Sequence, residues 1–229
     1  MIITLDGPAG AGKSSAARAL ARRLGWCYID TGAMYRAVTL VALDRGIPLE
    51  DSSRIAALTE SVRIEFCDGR VVVDGRDVST EIRTERITLA TRPVADAPPV
   101  RDAMKRVQRR MAEGIDVVTE GRDQGSVVFP HAELKVFLTA SAEERARRRH
   151  REEVGRGNAA SIEAVLASQS QRDEADRTRP VGAMKPADDA VTLETDGMSP
   201  EQVIDRLVAM IEAVRRSGPH GSGKAAGQS

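Results

Sequence analysis

The segment GPAGAGKSS, residues 7–15, has the residue types and the spacing of a phosphate-binding loop. Gly7, Gly12, Lys13 and Ser14 occupy the fixed positions of the pattern G-x-x-x-x-G-K-[ST]. Glycines allow backbone N–H groups to approach phosphate oxygens that side chains would hold away. The lysine offers a charge to the β- and γ-phosphates, and the serine offers a hydroxyl to Mg²⁺. The segment therefore predicts binding of a nucleoside triphosphate with Mg²⁺. The candidate contact residues are Gly7, Pro8, Ala9, Gly10, Ala11, Gly12, Lys13, Ser14 and Ser15, with Ser14 as the metal ligand.

Arginines and acidic residues form three further clusters that follow predicted strands or end a predicted helix. They are DTGAMYR (30–36), EGRDQG (120–125) and QRDEADRTRP (171–180). Arginine binds phosphate through two parallel hydrogen bonds, and a carboxylate pairs with amines or sugar hydroxyls. Because open parallel sheets bind ligands beyond the carboxyl ends of their strands, we expect the clusters to face the glycine loop. They predict a polar site for an anion that carries hydrogen-bonding groups.

Each cluster also has a structural interpretation. Residues 30–36 could form a helix cap beside a solvated arginine, and residues 171–180 could be a solvated charged face. The cluster EGRDQG is harder to explain as turn chemistry, because Arg122 and Asp123 stand between two glycines after a buried strand. We take it as the most specific of the three.

The elements that must position these residues alternate between strand and helix patterns. Predicted strands cover residues 2–5, 26–30, 115–121, 134–140 and 189–196. Predicted helices cover residues 14–24, 32–44, 51–60 and 85–114, the last with a break at Pro98–Pro99. Three further helices are predicted to begin at the capping box Ser141/Glu144, at Ser161 and at Pro200. Such alternation predicts a parallel sheet covered by helices on both faces.

Two segments have a different texture. Residues 61–83 alternate polar and apolar residues and contain Asp68-Gly69 and Asp74-Gly75, which is typical of hairpins. They predict a small antiparallel sheet inserted into the α/β chain. The last residues, 217–229, are rich in glycine and serine, have no apolar period and are predicted to be disordered.

Composition argues against several classes of partner. The 229 residues contain 34 Lys+Arg and 34 Asp+Glu, and aromatic residues make up 3%. Global charge therefore gives no reason to expect polymeric nucleic acid or a membrane, and a row of base-stacking aromatics is not expected. No apolar run approaches the ~20 residues that cross a bilayer. Cys27 and Cys67 are predicted to be buried or half-buried thiols in a reducing cytoplasm.

Together, these motifs resemble the bacterial cytidylate kinases, which are nucleoside monophosphate kinases, over residues 1–215. The segments DTGAMYR, DVSTEIR and EGRDQGSVVFP are the most specific, since many NTPases share the glycine loop. The resemblance implies an α/β fold with a P-loop NTPase-type parallel sheet flanked by helices, a small antiparallel β insert and a helical lid. It implies transfer of the γ-phosphate of ATP, with Mg²⁺, to CMP or dCMP, giving ADP and CDP or dCDP. The family is usually monomeric.

The resemblance also implies a division of the chain. Residues 1–57 and 91–216 form the core, 58–90 the inserted monophosphate-binding subdomain, about 145–160 the lid and 217–229 the tail. The lid begins with Arg145, Arg148 and Arg149, of which Arg148 joins the ATP site.

Site roles follow from the same resemblance. Lys13, Arg36 and Arg122 are the implied catalytic residues, and the two arginines hold the acceptor phosphate. The remaining implied substrate contacts are Thr31, Arg101 and Asp123 at cytosine with Arg179 nearby, and Arg172 and Asp176 at the sugar. The acceptor is a phosphate oxygen, largely ionised at neutral pH, so no strong general base is required.

The chain departs from the family pattern at one point. Related sequences usually carry a serine shortly before the AxPxVR stretch, where this chain reads ATRPVADAPPVR. A serine contact to the base is missing there, with Thr91 or Arg92 in its neighbourhood.

Two alternatives keep the glycine loop but change the function. A thymidylate, guanylate or shikimate kinase shares the loop, although the β insert and EGRDQG argue against these. A P-loop switch ATPase also shares it, although the arginine-rich lid, at about residues 145–160, argues against a switch.

Overall fold

The computed structural model describes residues 1–67, 69–155, 157 and 161–217. The strands are β1 (Ile2–Asp6), β2 (Cys27–Asp30), β3 (Ile64–Cys67), β4 (Arg70–Val73), β5 (Arg76–Asp77), β6 (Val117–Glu120), β7 (Leu134–Thr139) and β8 (Val191–Glu194). The helices are α1 (Lys13–Leu24), α2 (Thr31–Asp44), α3 (Ser52–Ser61), α4 (Glu85–Asp96), α5 (Pro98–Met111), α6 (Ala142–Gly155), α7 (Ile162–Thr178) and α8 (Pro200–Ser217).

Five strands form a parallel sheet in the order β2-β6-β1-β7-β8. In the central strand β1, Thr4 pairs with Thr119 of β6 and with Lys135 of β7. The chain leaves β1 toward β2 on one side, and β7 and β8 lie on the other. The carboxyl end of β1 is therefore the place where ligands bind in such sheets.

Two apolar clusters cover the sheet. Leu20 of α1 and Leu207 of α8 are completely buried in one of them, against β1 and β7. Met34 of α2 and Met104 of α5 are completely buried in the other, which also includes residues from α3, α4 and the small sheet. Helices on both faces explain why the central strands consist almost wholly of buried residues. The predicted α/β fold class is confirmed.

The predicted antiparallel insert is also present as a sheet of order β3-β4-β5. Asp74 and Gly75 both have positive φ, at 49° and 83°, as a type I′ hairpin turn requires. The first predicted turn falls on Asp68, which lies outside the described residues. Val71 and Val73 point into the large apolar cluster, so the small sheet is packed on the core rather than held apart from it.

Of the two predicted helix-end features, the break at Pro98 is present and the capping box at α6 is only partly formed. The break at Pro98 is confirmed, because α4 ends at Asp96 and α5 begins with that proline. The capping box at α6 is only half formed: the Glu144 amide donates to the Ser141 hydroxyl over 3.3 Å, but the Ser141 amide donates to Asp196 instead. A reciprocal box occurs at α8, where Ser199 and Gln202 each accept from the other's amide.

The prediction that both cysteines are buried or half-buried is wrong, because both are exposed. Cys27 is the first residue of β2 and Cys67 the last of β3, and burial decreases toward those ends of the two strands. No helix among the described residues is long and apolar enough to span a membrane. The predicted tail, apart from residue 217, and part of the predicted lid, residues 156 and 158–160, lie outside the described residues.

Candidate active site

The glycine loop connects the end of β1 to the start of α1, as the sequence predicts. Gly7, Gly10 and Gly12 have φ values of 141°, 78° and 89°, a region that favours glycine. A side chain on Gly7 would also collide with the carbonyl oxygen of Leu138 in β7. The loop shape therefore depends on these glycines for both conformation and close approach.

Lys13 is buried at the start of α1, with 5% of the residue exposed. Its Nζ donates to the carbonyl oxygen of Pro8 over 2.8 Å, which folds the side chain back along the loop. Burial, followed by the positive charge of Arg122, lowers the pKa of Lys13 to about 7. The ammonium group thus lies in an electropositive, poorly solvated position that favours an anionic ligand.

Ser14 and Thr31 converge on Glu120 at the end of β6. The Ser14 hydroxyl donates to Glu120 Oε1 over 2.8 Å, and the Thr31 hydroxyl donates to the Glu120 carbonyl oxygen over 2.8 Å. Burial, followed by the charge of Asp30, raises the pKa of Glu120. Asp30 in turn caps α2 by accepting from the Ala33 amide over 2.8 Å.

Arg122 is oriented by an acidic residue of α7. Its Nε donates to Asp176 Oδ2 over 2.7 Å, and Asp176 Oδ1 accepts from Arg179 over 2.7 Å. Arg179 also donates to Asp96 Oδ1 over 2.6 Å. Although burial acts in the opposite direction, the charge of Arg122 and its hydrogen bond lower the pKa of Asp176. The second and third sequence clusters are therefore joined by the ion pair between Arg122 and Asp176.

Arg36 and Arg172 are two further cationic residues near Lys13 and Arg122. Arg36 Nη2 lies 3.8 Å from Asp30 Oδ1, and its buried Nε has no hydrogen-bond partner in the part of the chain that the structure describes. Arg172 as a residue is exposed, but its guanidinium group is poorly solvated. This desolvation lowers the pKa of Arg172 to about 10, and the positive charges of Arg122 and Arg36 act in the same direction. Arg36 has an unsatisfied donor, which a bound anion would satisfy.

Arg101 and Asp123 form a second, more deeply buried ion pair, with side chains 6% and 7% exposed. Arg101 also donates to the Ala95 carbonyl oxygen over 2.9 Å and lies 5.7 Å from the ring centre of Tyr35. Gly182 covers the pair: its φ is 68°, and a side chain there would collide with both charged groups. A small cavity of about 20 Å³ beside the pair is lined by residues including Tyr35 and Val181.

Arg148 lies near the start of α1, although it is engaged elsewhere. It donates to Glu144 and to Thr195, over 2.9 Å and 3.0 Å, and its Nη1 is 3.9 Å from the position of a side-chain carbon on Gly12. Arg149 pairs with Glu152 and Glu153 on its own helix.

The stretch that lacks the serine is also engaged within the protein. Thr91 donates its hydroxyl to the Ile87 carbonyl oxygen in α4 over 2.6 Å. Arg92 lies 3.7 Å from Asp96, which is the same carboxylate that binds Arg179. Arg92 is thus connected to Arg179 and Asp176 through Asp96.

Two features of the site were missed by sequence reasoning. Asp6, at the end of β1, accepts from the amides of Gln124 and Gly125 over 2.9 Å and 2.7 Å, and these amides open a π-helical turn at Gln124–Val128. Asp173 and Arg145 bind the glycine loop at Ala9. The aspartate directly before the loop could have indicated the role of Asp6, whereas no local sequence signal indicates the contacts of Asp173 and Arg145 with Ala9.

Most of the predicted site residues therefore converge at one edge of the sheet. The loop, Thr31, Arg36 and Arg122 follow β1, β2 and β6, and α7 brings Arg172, Asp176 and Arg179 alongside. Arg101 reaches the same place from α5 through Asp123. Arg148 approaches from α6 on the side of the loop.

Comparison with known proteins identifies the family of this arrangement. A cytidylate kinase from Rhodopirellula baltica is 49% identical over 218 residues, which cover 95% of this chain and 95% of the relative. A cytidylate kinase from Pelotomaculum thermopropionicum is 47% identical over 219 residues, covering 93% and 97%. The crystal structure of an uncharacterized protein from Eubacterium ventriosum shares the fold, with a TM-score of 0.52 at 10% identity, covering 93% of this chain and 99% of that one. The family model for cytidylate kinase matches residues 3–213. The chain belongs to the cytidylate kinase family.

Proposed function

We propose that this site transfers the γ-phosphate of ATP to CMP or dCMP, as cytidylate kinases do, through a cluster of four cations. The single observation that carries the proposal is electrostatic: Lys13, Arg36, Arg122 and Arg172 lie close enough for the charge of one to lower the pKa of another. Carboxylates such as Asp176 and Glu120 offset part of this positive charge, and a bound anion would offset the remainder. A triphosphate and a monophosphate meeting end to end would supply that anion.

The donor side is formed by the glycine loop. Its backbone N–H groups and the start of α1 bind the phosphates, and Lys13 compensates charge on the transferred group. Arg148 completes this side from α6, after exchanging its contacts with Thr195 for ATP. The lid, at about residues 145–160, would close over ATP only when both substrates are present, which prevents wasteful hydrolysis.

The acceptor side is formed by the ion-pair network. Arg36 and Arg122 hold the acceptor phosphate in line with the γ-phosphate, and Arg172 and Asp176 contact the sugar. Thr31, Arg101, Asp123 and Arg179 recognise cytosine, with the insert at residues 58–90 closing the pocket. The acceptor oxygen is already ionised, so charge compensation and positioning carry the rate.

The residues near Ser14 fit a magnesium ion. A hydroxyl and the carboxylates of Glu120 and Asp30 are hard oxygen donors of the kind Mg²⁺ prefers, and the raised pKa of Glu120 reflects a carboxylate that a cation would stabilise. Within the described residues there is no cluster of three acidic, histidine or cysteine side chains. This suits an ion that takes most of its ligands from phosphates and water. When bound, Mg²⁺ neutralises phosphate charge, and Ser14 is the proposed protein ligand.

We expect the protein to act as a cytoplasmic monomer, without a nucleic-acid or membrane partner. The support is the small-molecule chemistry of the site and the balance of 34 basic and 34 acidic residues.

The decisive experiment measures ADP release from Mg·ATP with CMP, dCMP, UMP, AMP, GMP and dTMP as acceptors. Release that requires CMP or dCMP supports the proposal, and the relative rate with UMP measures the base discrimination of a site that lacks the usual serine. Release without any acceptor, or only with a purine monophosphate, would overturn the assignment of the acceptor side.

A further inference from the structure

One residue of the glycine loop is bound at both of its backbone polar groups by buried side chains. The amide of Ala9 donates to Asp173 Oδ1 over 3.0 Å, and its carbonyl oxygen accepts from Arg145 Nη1 over 2.8 Å. The side chains of Asp173 and Arg145 are only 1% and 7% exposed. Asp173 belongs to α7 and Arg145 to α6, so two helices distant in sequence hold the loop at a single residue.

The two side chains also bind each other and their surroundings. Arg145 Nη1 lies 2.5 Å from Asp173 Oδ2, and Arg145 Nε donates to the Ala140 carbonyl oxygen over 3.1 Å. Gln169 Nε2 donates to the Arg145 carbonyl oxygen over 3.3 Å and lies 2.5 Å from the position of a side-chain carbon on Gly10. The loop from Ala9 to Gly10 thus rests directly on α6 and α7.

The location of this ion pair points to a role in binding rather than in the core. Burying two charges is costly, and the cost is met only where each charge has partners of good geometry. Here the partners are the backbone groups of a loop with three glycines in left-handed or extended positive-φ conformations. Glycine-rich segments lose the most conformational freedom on ordering, so contacts that fix such a loop in advance favour ligand binding.

We propose that Asp173 and Arg145 are positioning residues for ATP, which hold the glycine loop at Ala9 in its phosphate-binding shape. The inference rests on the proposed function, because it requires the loop to bind a triphosphate. The family resemblance places Arg145 at the start of the lid, but its buried guanidinium is bound to Ala9 and Asp173, so we assign it to the loop rather than to ATP. Asp173 is flanked on α7 by Arg172 and Asp176. The same helix therefore positions the glycine loop and carries the residues proposed to contact the acceptor nucleotide.

The test compares steady-state kinetics of Asp173→Asn and Arg145→Lys with the wild type. Asparagine keeps an acceptor for the Ala9 amide but loses the charge that pairs with Arg145. Lysine keeps a charge but loses the planar group whose Nη1 binds Ala9 and Asp173 while its Nε binds Ala140. We expect KM for ATP to rise about tenfold or more, with KM for CMP within about twofold of wild type. Direct titration with a non-hydrolysable ATP analogue should show the same loss.

Glu174→Gln is the matched control, because Glu174 is adjacent on α7 with a side chain that is 67% exposed. It should leave both KM values unchanged. If Asp173→Asn does not fold, Arg145→Lys decides the question, and melting temperatures identify which variants are folded. Unchanged ATP binding in a folded variant would overturn the proposal, as would an equal rise in both KM values, which would mean that Asp173 merely supports α7. Wild-type activity with CMP tests the proposed function separately.

Discussion

Arg122 and Asp176 form an ion pair of 2.7 Å that joins the end of β6 to α7 across 54 residues of sequence. Asp176 accepts from Arg122 with one oxygen and from Arg179 with the other. Both arginines are therefore held in fixed orientations before a substrate arrives. A guanidinium that is already oriented loses less conformational entropy when it binds a phosphate.

The first prediction concerns Asp176→Asn. The neutral amide can accept only one of the two hydrogen bonds, so Arg122 or Arg179 loses its fixed orientation. We expect kcat/KM for CMP to fall by about 10- to 100-fold, with a much smaller change in KM for ATP. Initial rates at varied CMP and saturating ATP measure this effect. Equal losses for the two substrates would contradict the acceptor-side role of the pair.

The second prediction concerns Arg36→Met. Methionine fills similar space without a charge, so the unpartnered Nε and the interaction with Asp30 are both removed at little structural cost. If Arg36 holds the acceptor phosphate, kcat should fall by about 100-fold and KM for CMP should rise. Arg54→Met is the control, because the Arg54 side chain is 61% exposed on α3. Wild-type kinetics in Arg36→Met would remove Arg36 from the catalytic residues.

The fold and the donor loop could be predicted because their signals are local. The glycine loop, its preceding strand and its following helix are contiguous in sequence. The hairpin turn at Asp74-Gly75 is indicated by these two residues alone. The charged clusters could be placed at one edge because every parallel strand ends there. The ligand group that each residue contacts could be assigned only from the family resemblance, because the spacing of the residues does not indicate it.

The remaining features depend on contacts between distant segments. Ala9 and Asp173 are 164 residues apart, and nothing in RDEAD distinguishes Asp173, which binds the loop, from Asp176, which binds Arg122, or from the exposed Glu174. The π-helical turn at Gln124–Val128 is bound at its first two amides by Asp6, which is 118 and 119 residues away in sequence. Cys27 and Cys67 were predicted to be buried or half-buried from residue type alone, but they are exposed because they lie at the outer ends of their strands.

The third prediction concerns Gly182→Ala. The residue has a φ of 68°, which alanine adopts only with strain, and its side chain would displace Arg101 and Asp123. We expect KM for CMP to rise about tenfold while KM for ATP stays near the wild-type value. The strain should also lower the free energy of unfolding by about 1 kcal/mol or more. Gly197→Ala is the control: its φ is 70°, but nothing lies within contact distance of an added side chain, so only stability should change. An unchanged KM for CMP in Gly182→Ala would show that the covering loop does not shape the base site.

The fourth prediction concerns the pH dependence that Lys13 confers. Burial and the charge of Arg122 lower the pKa of Lys13 to about 7, so the ammonium charge is present below that pH and lost above it. Because kcat/KM reports ionisations of the free enzyme, kcat/KM for ATP should decline as pH rises from about 7 to about 9. Bound phosphates favour the charged form, so kcat at saturating ATP should decline only at higher pH, and ATP binding near pH 8 should take up protons.

Lys13→Arg separates this effect from a second group in the same range. Burial also raises the pKa of Asp6 to about 7, so its ionisation overlaps that of Lys13. A guanidinium stays charged throughout, and the variant should be slower but should lack the alkaline decline in kcat/KM for ATP. If the decline persists in Lys13→Arg, it belongs to Asp6 or to another group. Calorimetric titration of ATP in buffers of different ionisation enthalpy measures the proton uptake, which Lys13→Arg should abolish because the arginine is already protonated.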